Sequence, residues 1–193
     1  MVVKASEIQR IAVIGAGEMG HGIAELAALY GFHVTLHDIK DEFIERGLER
    51  IRWSLEKLAE KGQLDGTPED LLGRIDTTTD LKKAAKEADF IIEAATEDLA
   101  LKEKIFKNLD ASAPPEAVLA SNTSGLSITA MGKATGRPSQ VVGMHFFNPP
   151  IIMELVEIVK GDDTDDATLE TTSELAKRLK KTPILVRKDV PGF

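Results

Sequence analysis

Apolar and polar positions alternate along the chain in blocks that predict strands and helices in turn. Short apolar runs typical of buried strands occur at residues 8–14, 33–37, 75–78, 90–94, 118–120, 141–146, 154–159 and 184–186. Helical spacing of apolar residues predicts helices over residues 18–30, 41–61, 81–87, 99–112 and 165–180. Thr67 and Pro68 predict the cap and first residue of a further helix, and Thr164 the cap of the last one. This alternation favours a doubly wound α/β fold with a mostly parallel sheet and helices on both faces.

A glycine-rich turn, GAGEMG at residues 15–20, follows the first predicted strand directly. In this G-x-G-x-x-G pattern Gly15 permits a tight turn and Gly17 lets the backbone approach a pyrophosphate, while Gly20 allows the next helix to pack closely on the sheet. The start of that helix offers unpaired N–H groups to phosphates. We therefore expect Glu18 and Met19, with the three glycines, to contact a dinucleotide.

Asp38 lies at the end of the second predicted strand, 18 residues beyond Gly20. A carboxylate at this place accepts hydrogen bonds from the adenosine ribose and repels a 2′-phosphate, which predicts NAD rather than NADP as the cofactor. A glycine triplet alone is a weak signal, but the ordered series of strand, glycines, helix, strand and acid is specific. The series predicts that residues 1–190 form a Rossmann-type NAD-binding domain.

One imidazole and one carboxylate, those of His145 and Glu157, interrupt two apolar segments that flank a double proline. If the segments are antiparallel strands folded about Ile151, the two residues lie directly opposite each other, since both are equally far from Ile151 in sequence. A carboxylate that touches an imidazole orients the ring and stabilises its protonated form, as a general base requires. A lone buried histidine is more often structural. Here the paired carboxylate and the cofactor motif favour catalysis.

Composition favours a soluble intracellular enzyme domain. The 193 residues are 42% hydrophobic, enough for one substantial core, and the absence of cysteine excludes disulfides and thiolate ligands. A net charge of −8 argues against nucleic-acid binding, and four histidines without metal-ligand spacing argue against a metal site. No apolar run approaches transmembrane length, and the first strand begins too early for a signal peptide. We expect a cytoplasmic protein that binds no membrane.

Several longer runs resemble the NAD-binding half of L-3-hydroxyacyl-CoA dehydrogenases, of the 3-hydroxybutyryl-CoA dehydrogenase type. They are IAVIGAGEMGHGIA, LASNTSGLSI, GMHFFNPP and ELVEIV, together with a terminal PGF. The resemblance extends over essentially the whole chain, and HFFNPP after SNTSGL is more specific than the glycine motif. It implies NAD-dependent oxidation of an L-3-hydroxyacyl-CoA to a 3-oxoacyl-CoA in fatty-acid β-oxidation.

The same resemblance implies roles for individual side chains. His145 would be the general base and Glu157 its orienting partner, because oxidation of a secondary alcohol removes the hydroxyl proton as hydride leaves the carbon for the nicotinamide. Ser124 matches the family serine that hydrogen-bonds the reacting oxygen, and Asn122 belongs to the same loop. Ser124 has an alternative explanation as an ordinary turn residue.

Other positions match family contacts to the cofactor and to coenzyme A. Glu97 and Lys102 fall where the family contacts the ribose and nicotinamide side of NAD, but solvated charges at a helix start are the alternative. Ser54 and Lys61 match coenzyme A contacts and share one face of a predicted helix. A lysine near phosphates is chemically sensible, whereas a lysine at a fraying helix end is the alternative for Lys61.

Enzymes of this family continue past PGF into a mostly helical second domain, which carries an active-site asparagine, closes over the acyl-CoA and supplies the dimer contact. Residues 191–193 would begin the linker to that domain, which this sequence lacks. The resemblance then implies intact NAD binding, weak turnover because substrate positioning is incomplete, and a homodimer when the second domain is present. Two other hypotheses stay open: a dehydrogenase of non-thioester hydroxy acids of the gulonate type, and a noncatalytic NAD-binding module.

Overall fold

Eight strands form one sheet in the computed structural model, which describes residues 2–190. In chain order the strands are β1 (Arg10–Ile14), β2 (His33–His37), β3 (Ile75–Thr78), β4 (Phe90–Glu93), β5 (Val118–Ser121), β6 (Val141–Phe146), β7 (Leu155–Val159) and β8 (Thr182–Val186). Across the sheet their order is β3-β2-β1-β4-β5-β6-β7-β8. The winding reverses between the neighbouring strands β1 and β4, which is the switch point of a Rossmann-type doubly wound fold. The predicted fold class is confirmed.

All neighbouring strands of this sheet are parallel except β6 and β7. Residues 147–154 join β6 to β7, and a connection this short permits only an antiparallel pair, because a parallel crossover needs about a dozen residues or more. The strands β1, β4, β5 and β6 run parallel to one another, so their carboxyl ends lie at a single edge. Ligands of open α/β sheets bind at that edge.

Seven α-helices accompany the strands within residues 2–190. They are α1 (Gly20–Leu29), α2 (Asp41–Glu60), α3 (Pro68–Leu72), α4 (Leu81–Ala85), α5 (Leu99–Asp110), α6 (Ile128–Lys133) and α7 (Asp166–Arg178). Side chains of β1 show how the helices cover both faces: Ile11 and Val13 join an apolar cluster with α1, α2 and α7, whereas Ala12 and Ile14 join a second cluster with α4, α5 and α6. The core is therefore split by the sheet, as the apolar strand sequences predict.

The helix ends follow the predicted signals with one correction. Thr67 caps α3, accepting a hydrogen bond from the Asp70 N–H, and Pro68 is its first residue, as predicted. The predicted cap Thr164 is wrong, because Asp165 accepts the Thr168 N–H at 2.7 Å and caps α7. The Thr164 hydroxyl instead donates to the Val141 carbonyl at 2.6 Å and thereby links the segment before α7 to the start of β6.

Helix α6 and two 3-10 helices, Ala5–Glu7 and Pro138–Gln140, had no predicted counterpart. The segment that contains α6 is rich in Ser, Thr and Gly, which is typical of a loop. Ser127 nevertheless begins the helix, since its hydroxyl accepts the Ala130 N–H at 3.1 Å and Asp189 accepts the N–H groups of Ile128 and Thr129. A carboxylate from a residue distant in sequence supports this short helix.

Within residues 2–190 none of the helices combines the length and the apolar character that a bilayer crossing requires. The predicted linker at residues 191–193 lies outside the described residues.

Candidate active site

The glycine turn after β1 leaves no room for side chains at two of its three glycines. Gly15 has φ of +108°, and a Cβ there would lie 2.6 Å from the Ala94 carbonyl oxygen. A Cβ on Gly20 would lie 1.7 Å from the Gly15 carbonyl oxygen, so α1 starts in direct contact with the turn. Gly17 differs, because a Cβ there would meet nothing within 4 Å. Its backbone faces open space, which suits the approach of a pyrophosphate.

Asp38 holds this turn from the end of β2. Its Oδ2 accepts the Ala16 N–H at 2.8 Å and its Oδ1 accepts the Ile39 N–H at 2.7 Å. A cavity of about 690 Å³ opens beside these groups, within the usual range for small-molecule sites. Its walls include Gly15, Gly17, Glu18, Asp38, Ile39, Thr96 and Ile105. The cavity thus joins the glycine turn to the predicted ribose-binding carboxylate.

Lys102, expected to face the cofactor, is enclosed in the protein with 1% of its side chain exposed. Its ammonium donates to Glu93 Oε1 at 2.6 Å and to the Ala95 carbonyl at 3.1 Å. The Ser121 hydroxyl donates to the other Glu93 oxygen at 2.7 Å. Sequence reasoning missed Glu93, although the signal was present: a single carboxylate in the apolar run FIIEAA requires a partner, as Glu157 does in LVEIV.

Glu97 lies in the loop between β4 and α5 and binds the polar loop that follows β5. Its Oε1 accepts the Thr123 hydroxyl and the Ser124 N–H, the latter at 3.0 Å, and its Oε2 lies 3.5 Å from the Lys102 ammonium. Burial by itself would raise the pKa of Glu97, but the Thr123 hydroxyl, the Ser124 N–H and the Lys102 charge outweigh it, so the pKa is lowered. The ionised Glu97 therefore orders the loop that carries Ser124.

Asn122 connects the same loop to the strand that carries the histidine. Its side-chain oxygen accepts the Phe146 N–H at 2.9 Å, and its own N–H donates to the Glu93 carbonyl at 2.7 Å. Phe146 follows His145 directly in β6. The loop and the histidine are thus held together at the carboxyl edge of the sheet.

His145 and Glu157 form a directly opposed pair of the antiparallel strands β6 and β7, as predicted. The Nδ1 atom of His145 lies 2.8 Å from Oε2 of Glu157, with 15% and 20% of the two side chains exposed. The ring of Phe147 packs against the imidazole with 4.8 Å between ring centroids. The imidazole is therefore oriented by a carboxylate on one side and an aromatic ring on another.

The two predicted coenzyme A contacts lie on and just beyond α2, which packs against α1. Ser54 is half-buried beside Glu25 of α1, and Lys61 is exposed directly after α2 ends. Burial raises the pKa of Glu25 to about 8, with a hydrogen bond from Ser54 opposing the rise. Among residues 2–190 the His, Asp and Glu side chains form no group of three that could hold a metal ion.

A family model described as "3-hydroxyacyl-CoA dehydrogenase, NAD binding domain" matches residues 10–190. The chain belongs to this family. The match confirms both the resemblance read from the sequence motifs and NAD as the cofactor of this 3-hydroxyacyl-CoA dehydrogenase domain.

Relatives in this family support the assignment. The chain is 49% identical over 184 residues to a probable 3-hydroxybutyryl-CoA dehydrogenase of Deinococcus radiodurans, covering 95% of this chain and 66% of the relative. It is 38% identical over 192 residues to the mitochondrial hydroxyacyl-coenzyme A dehydrogenase of Sus scrofa, covering 96% and 61%. The crystal structure of (S)-3-hydroxybutyryl-CoA dehydrogenase from Ralstonia eutropha superposes with a TM-score of 0.92 at 40% identity, covering 97% of this chain and 66% of that one. The chain thus spans slightly less than two thirds of the length of these relatives.

Proposed function

We propose that this chain is the cofactor-binding part of an NAD-dependent dehydrogenase that oxidises L-3-hydroxyacyl-CoA to 3-oxoacyl-CoA in fatty-acid β-oxidation. The observation that carries the proposal is the His145–Glu157 pair, with 2.8 Å between Nδ1 and Oε2, at the sheet edge that also holds the glycine turn. An oriented imidazole beside a dinucleotide site is the arrangement needed to remove a proton while hydride leaves the same alcohol.

In the proposed reaction His145 accepts the hydroxyl proton of the substrate. The Glu157 carboxylate at Nδ1 stabilises the imidazolium that forms, and Nε2 would be the ring atom that faces the substrate. NAD, when bound beside the glycine turn, would supply the hydride acceptor at C4 of its nicotinamide. The Ser124 hydroxyl hydrogen-bonds the reacting oxygen and helps to orient it. In the reverse direction the imidazolium returns the proton to the ketone oxygen.

We assign the cofactor contacts to residues around the open cavity. Gly15, Gly17 and Gly20, with Glu18 and Met19, would hold the pyrophosphate, because the Gly17 backbone is open while its two partners are closely packed. Asp38 would accept hydrogen bonds from the ribose hydroxyls and would exclude NADP by repelling its 2′-phosphate. Glu97 and Asn122 would border the nicotinamide side, since both order the Ser124 loop.

The acyl-CoA would contact Ser54 in α2 and Lys61 just beyond its end, with the Lys61 ammonium available to phosphates because it is exposed. The relatives are longer than this chain, so full turnover is proposed for a protein that includes a helical C-terminal domain. That domain, the homodimer and the cytoplasmic location remain predictions.

Two measurements test the proposal. Calorimetric titration should detect NADH binding to this chain, and His145→Ala should leave that affinity unchanged. Reduction of acetoacetyl-CoA by NADH should be slow for this chain, should rise when it is extended by the C-terminal segment of a relative such as the Deinococcus radiodurans protein, and should be lost with His145→Ala. Activity of the extended protein only on free hydroxy acids contradicts the acyl-CoA assignment. An extended protein whose activity survives His145→Ala contradicts the proposed base.

A further inference from the structure

The glycine turn at residues 15–20 carries one charged side chain, that of Glu18. Glu18 follows Gly17, whose backbone faces open space, and both residues line the cavity. An uncompensated carboxylate at this place would repel the diphosphate of NAD, because like charges a few ångströms apart disfavour each other. A cation near Glu18 would remove this conflict.

Arg50 of α2 supplies that cation. Its Nη1 atom donates to Oε2 of Glu18 at 2.7 Å. The hydrogen bond from Arg50 and its charge lower the pKa of Glu18, so the carboxylate is ionised at neutral pH. The side chains of Arg50 and Glu18 stay 55% and 66% exposed, and ion pairs this exposed contribute little to stability. Stability alone is thus a weak reason for this pair.

Close packing of α2 against the turn places Arg50 beside it. A Cβ on Gly47 would lie 3.1 Å from the Ala16 carbonyl oxygen and 3.3 Å from the Ala16 Cβ, so the helix approaches the turn at a glycine. Arg50 follows Gly47 by three residues, which puts both on the same side of the helix. Arg50 also lines the cavity together with Gly17 and Glu18. The residue is thus held in the wall of the space where the diphosphate is expected.

The Arg50 guanidinium retains donors for a ligand. A guanidinium has five N–H donors in a planar fork that can bind two phosphate oxygens at once. Its hydrogen bond to Glu18 uses Nη1, and within residues 2–190 it donates to no other acceptor. The remaining N–H groups can therefore donate to an anion while the contact with Glu18 is kept.

We propose that Arg50 is a cofactor-binding residue, whose guanidinium donates to the diphosphate of NAD, and that the Glu18 carboxylate is the positioning group that holds it. The inference deepens the proposed function and rests on it for the place of the diphosphate at the glycine turn. It gives the side chain of Glu18 a role distinct from that of the backbone N–H groups of the turn.

The first test is the NADH affinity of Arg50→Gln, measured by calorimetric titration of this chain. We expect Kd to rise about fivefold or more, because a half-exposed charge-assisted hydrogen bond is lost. Added salt should weaken NADH binding less in the variant than in the wild type, since one screened charge pair is missing. The matched control is Arg52→Gln, because Arg52 lies on the same helix, is also 55% exposed and lies 3.8 Å from Glu69. The control should bind NADH as the wild type does.

Two further variants separate direct contact from simple neutralisation of charge. If Arg50 only cancelled the charge of Glu18, Arg50→Gln would have no effect once Glu18→Gln had removed that charge. Direct contact predicts instead that the double variant binds NADH several-fold more weakly than Glu18→Gln alone. Equal affinities of these two proteins overturn the proposal. Both positions are exposed, so all of these variants should unfold near the wild-type temperature.

The outcomes distinguish failure of this inference from failure of the proposed function. Unchanged NADH affinity in Arg50→Gln, with Gly17→Ala still weakening it, overturns only the contact assigned to Arg50. Unchanged affinity in both variants also removes the diphosphate from the glycine turn. Coenzyme A is titrated in parallel, because α2 carries Ser54 as well. If Arg50→Gln weakens the binding of coenzyme A alone, the assignment of Arg50 to NAD is overturned.

Discussion

His145 of β6 and Glu157 of β7 are opposed across an antiparallel strand pair, and their side chains meet with 2.8 Å between Nδ1 and Oε2. The connection between the two strands reverses the chain in eight residues, 147–154, so the pairing is local in sequence. Register, rather than a chance approach of side chains, sets the contact. The geometry leads to a direct prediction about the carboxylate.

Glu157→Gln should lower kcat by about 10² to 10⁴-fold, the usual contribution of acid–base catalysis, because the imidazolium loses its anionic partner while the side-chain shape is kept. NADH affinity should stay within about twofold, because β4, β5 and β6 lie in the sheet between β7, which carries Glu157, and β1, which leads into the glycine turn. Steady-state kinetics of the extended enzyme and calorimetry measure the two quantities. Glu154→Gln, at an exposed position just before β7, is the control. Equal losses in both variants would refute the specific role of Glu157.

Two glycine substitutions should separate folding from cofactor binding. Gly17→Ala should fold normally, because its methyl group meets nothing within 4 Å, but should weaken NADH binding by about tenfold or more by filling space beside the pyrophosphate. Gly20→Ala should destabilise the chain, because its methyl group would lie 1.7 Å from the Gly15 carbonyl oxygen. Thermal unfolding and NADH titration distinguish them. Wild-type NADH affinity in Gly17→Ala would argue against pyrophosphate binding at this turn.

Asp38→Ser should shift cofactor preference toward NADPH. The substitution removes the charge that would repel a 2′-phosphate, while Arg46 and Arg50, which line the same cavity, remain as nearby cations. We expect the ratio of NADH to NADPH affinity to fall by about tenfold or more, given the strength of hydrogen bonds to charged groups. Parallel titrations with both cofactors measure it. Asp41→Ser, at an exposed residue of α2, should leave the ratio unchanged, and the prediction fails if Asp38→Ser does the same.

Glu25 should make the folded state less stable as pH rises. Burial raises its pKa to about 8 from 4.5, so between these values the folded chain keeps a proton that the unfolded chain releases. The free energy of unfolding should therefore fall across this window, by a few kcal/mol, and level off above about pH 8.

Glu25→Gln removes that titration, so it should match the wild type near pH 4.5 and exceed it in stability at pH 9. Urea unfolding at the two pH values measures the difference. Glu56→Gln, an exposed change on α2, should follow the wild type at both. A constant difference between Glu25→Gln and the wild type at the two pH values would show that Glu25 does not titrate in this window.

Within residues 2–190, local signals in the sequence predicted all eight strands and every α-helix except α6, and the predicted ends lie within two residues of those in the structure. They also predicted the glycine turn with Asp38 and the opposition of His145 and Glu157. Each of these depends on side-chain periodicity, on a turn that only glycine permits, or on two strands joined by a short connection. Such constraints act between residues that are near in sequence.

The buried environment of Lys102 and its pairing with Glu93 were decided only by the tertiary structure. So were the link from Glu97 to Ser124 and the support of α6 by Asp189. The contacts of Glu97 and Asp189 join segments that crossover helices separate along the chain, so no residue spacing encodes them, whereas Glu93 and Lys102 meet where the chain passes from β4 into α5. Sequence by itself determined the strands, the α-helices other than α6 and the histidine–glutamate register, because these depend on residues near in sequence. Packing of the parallel sheet decided which side chains distant in sequence meet.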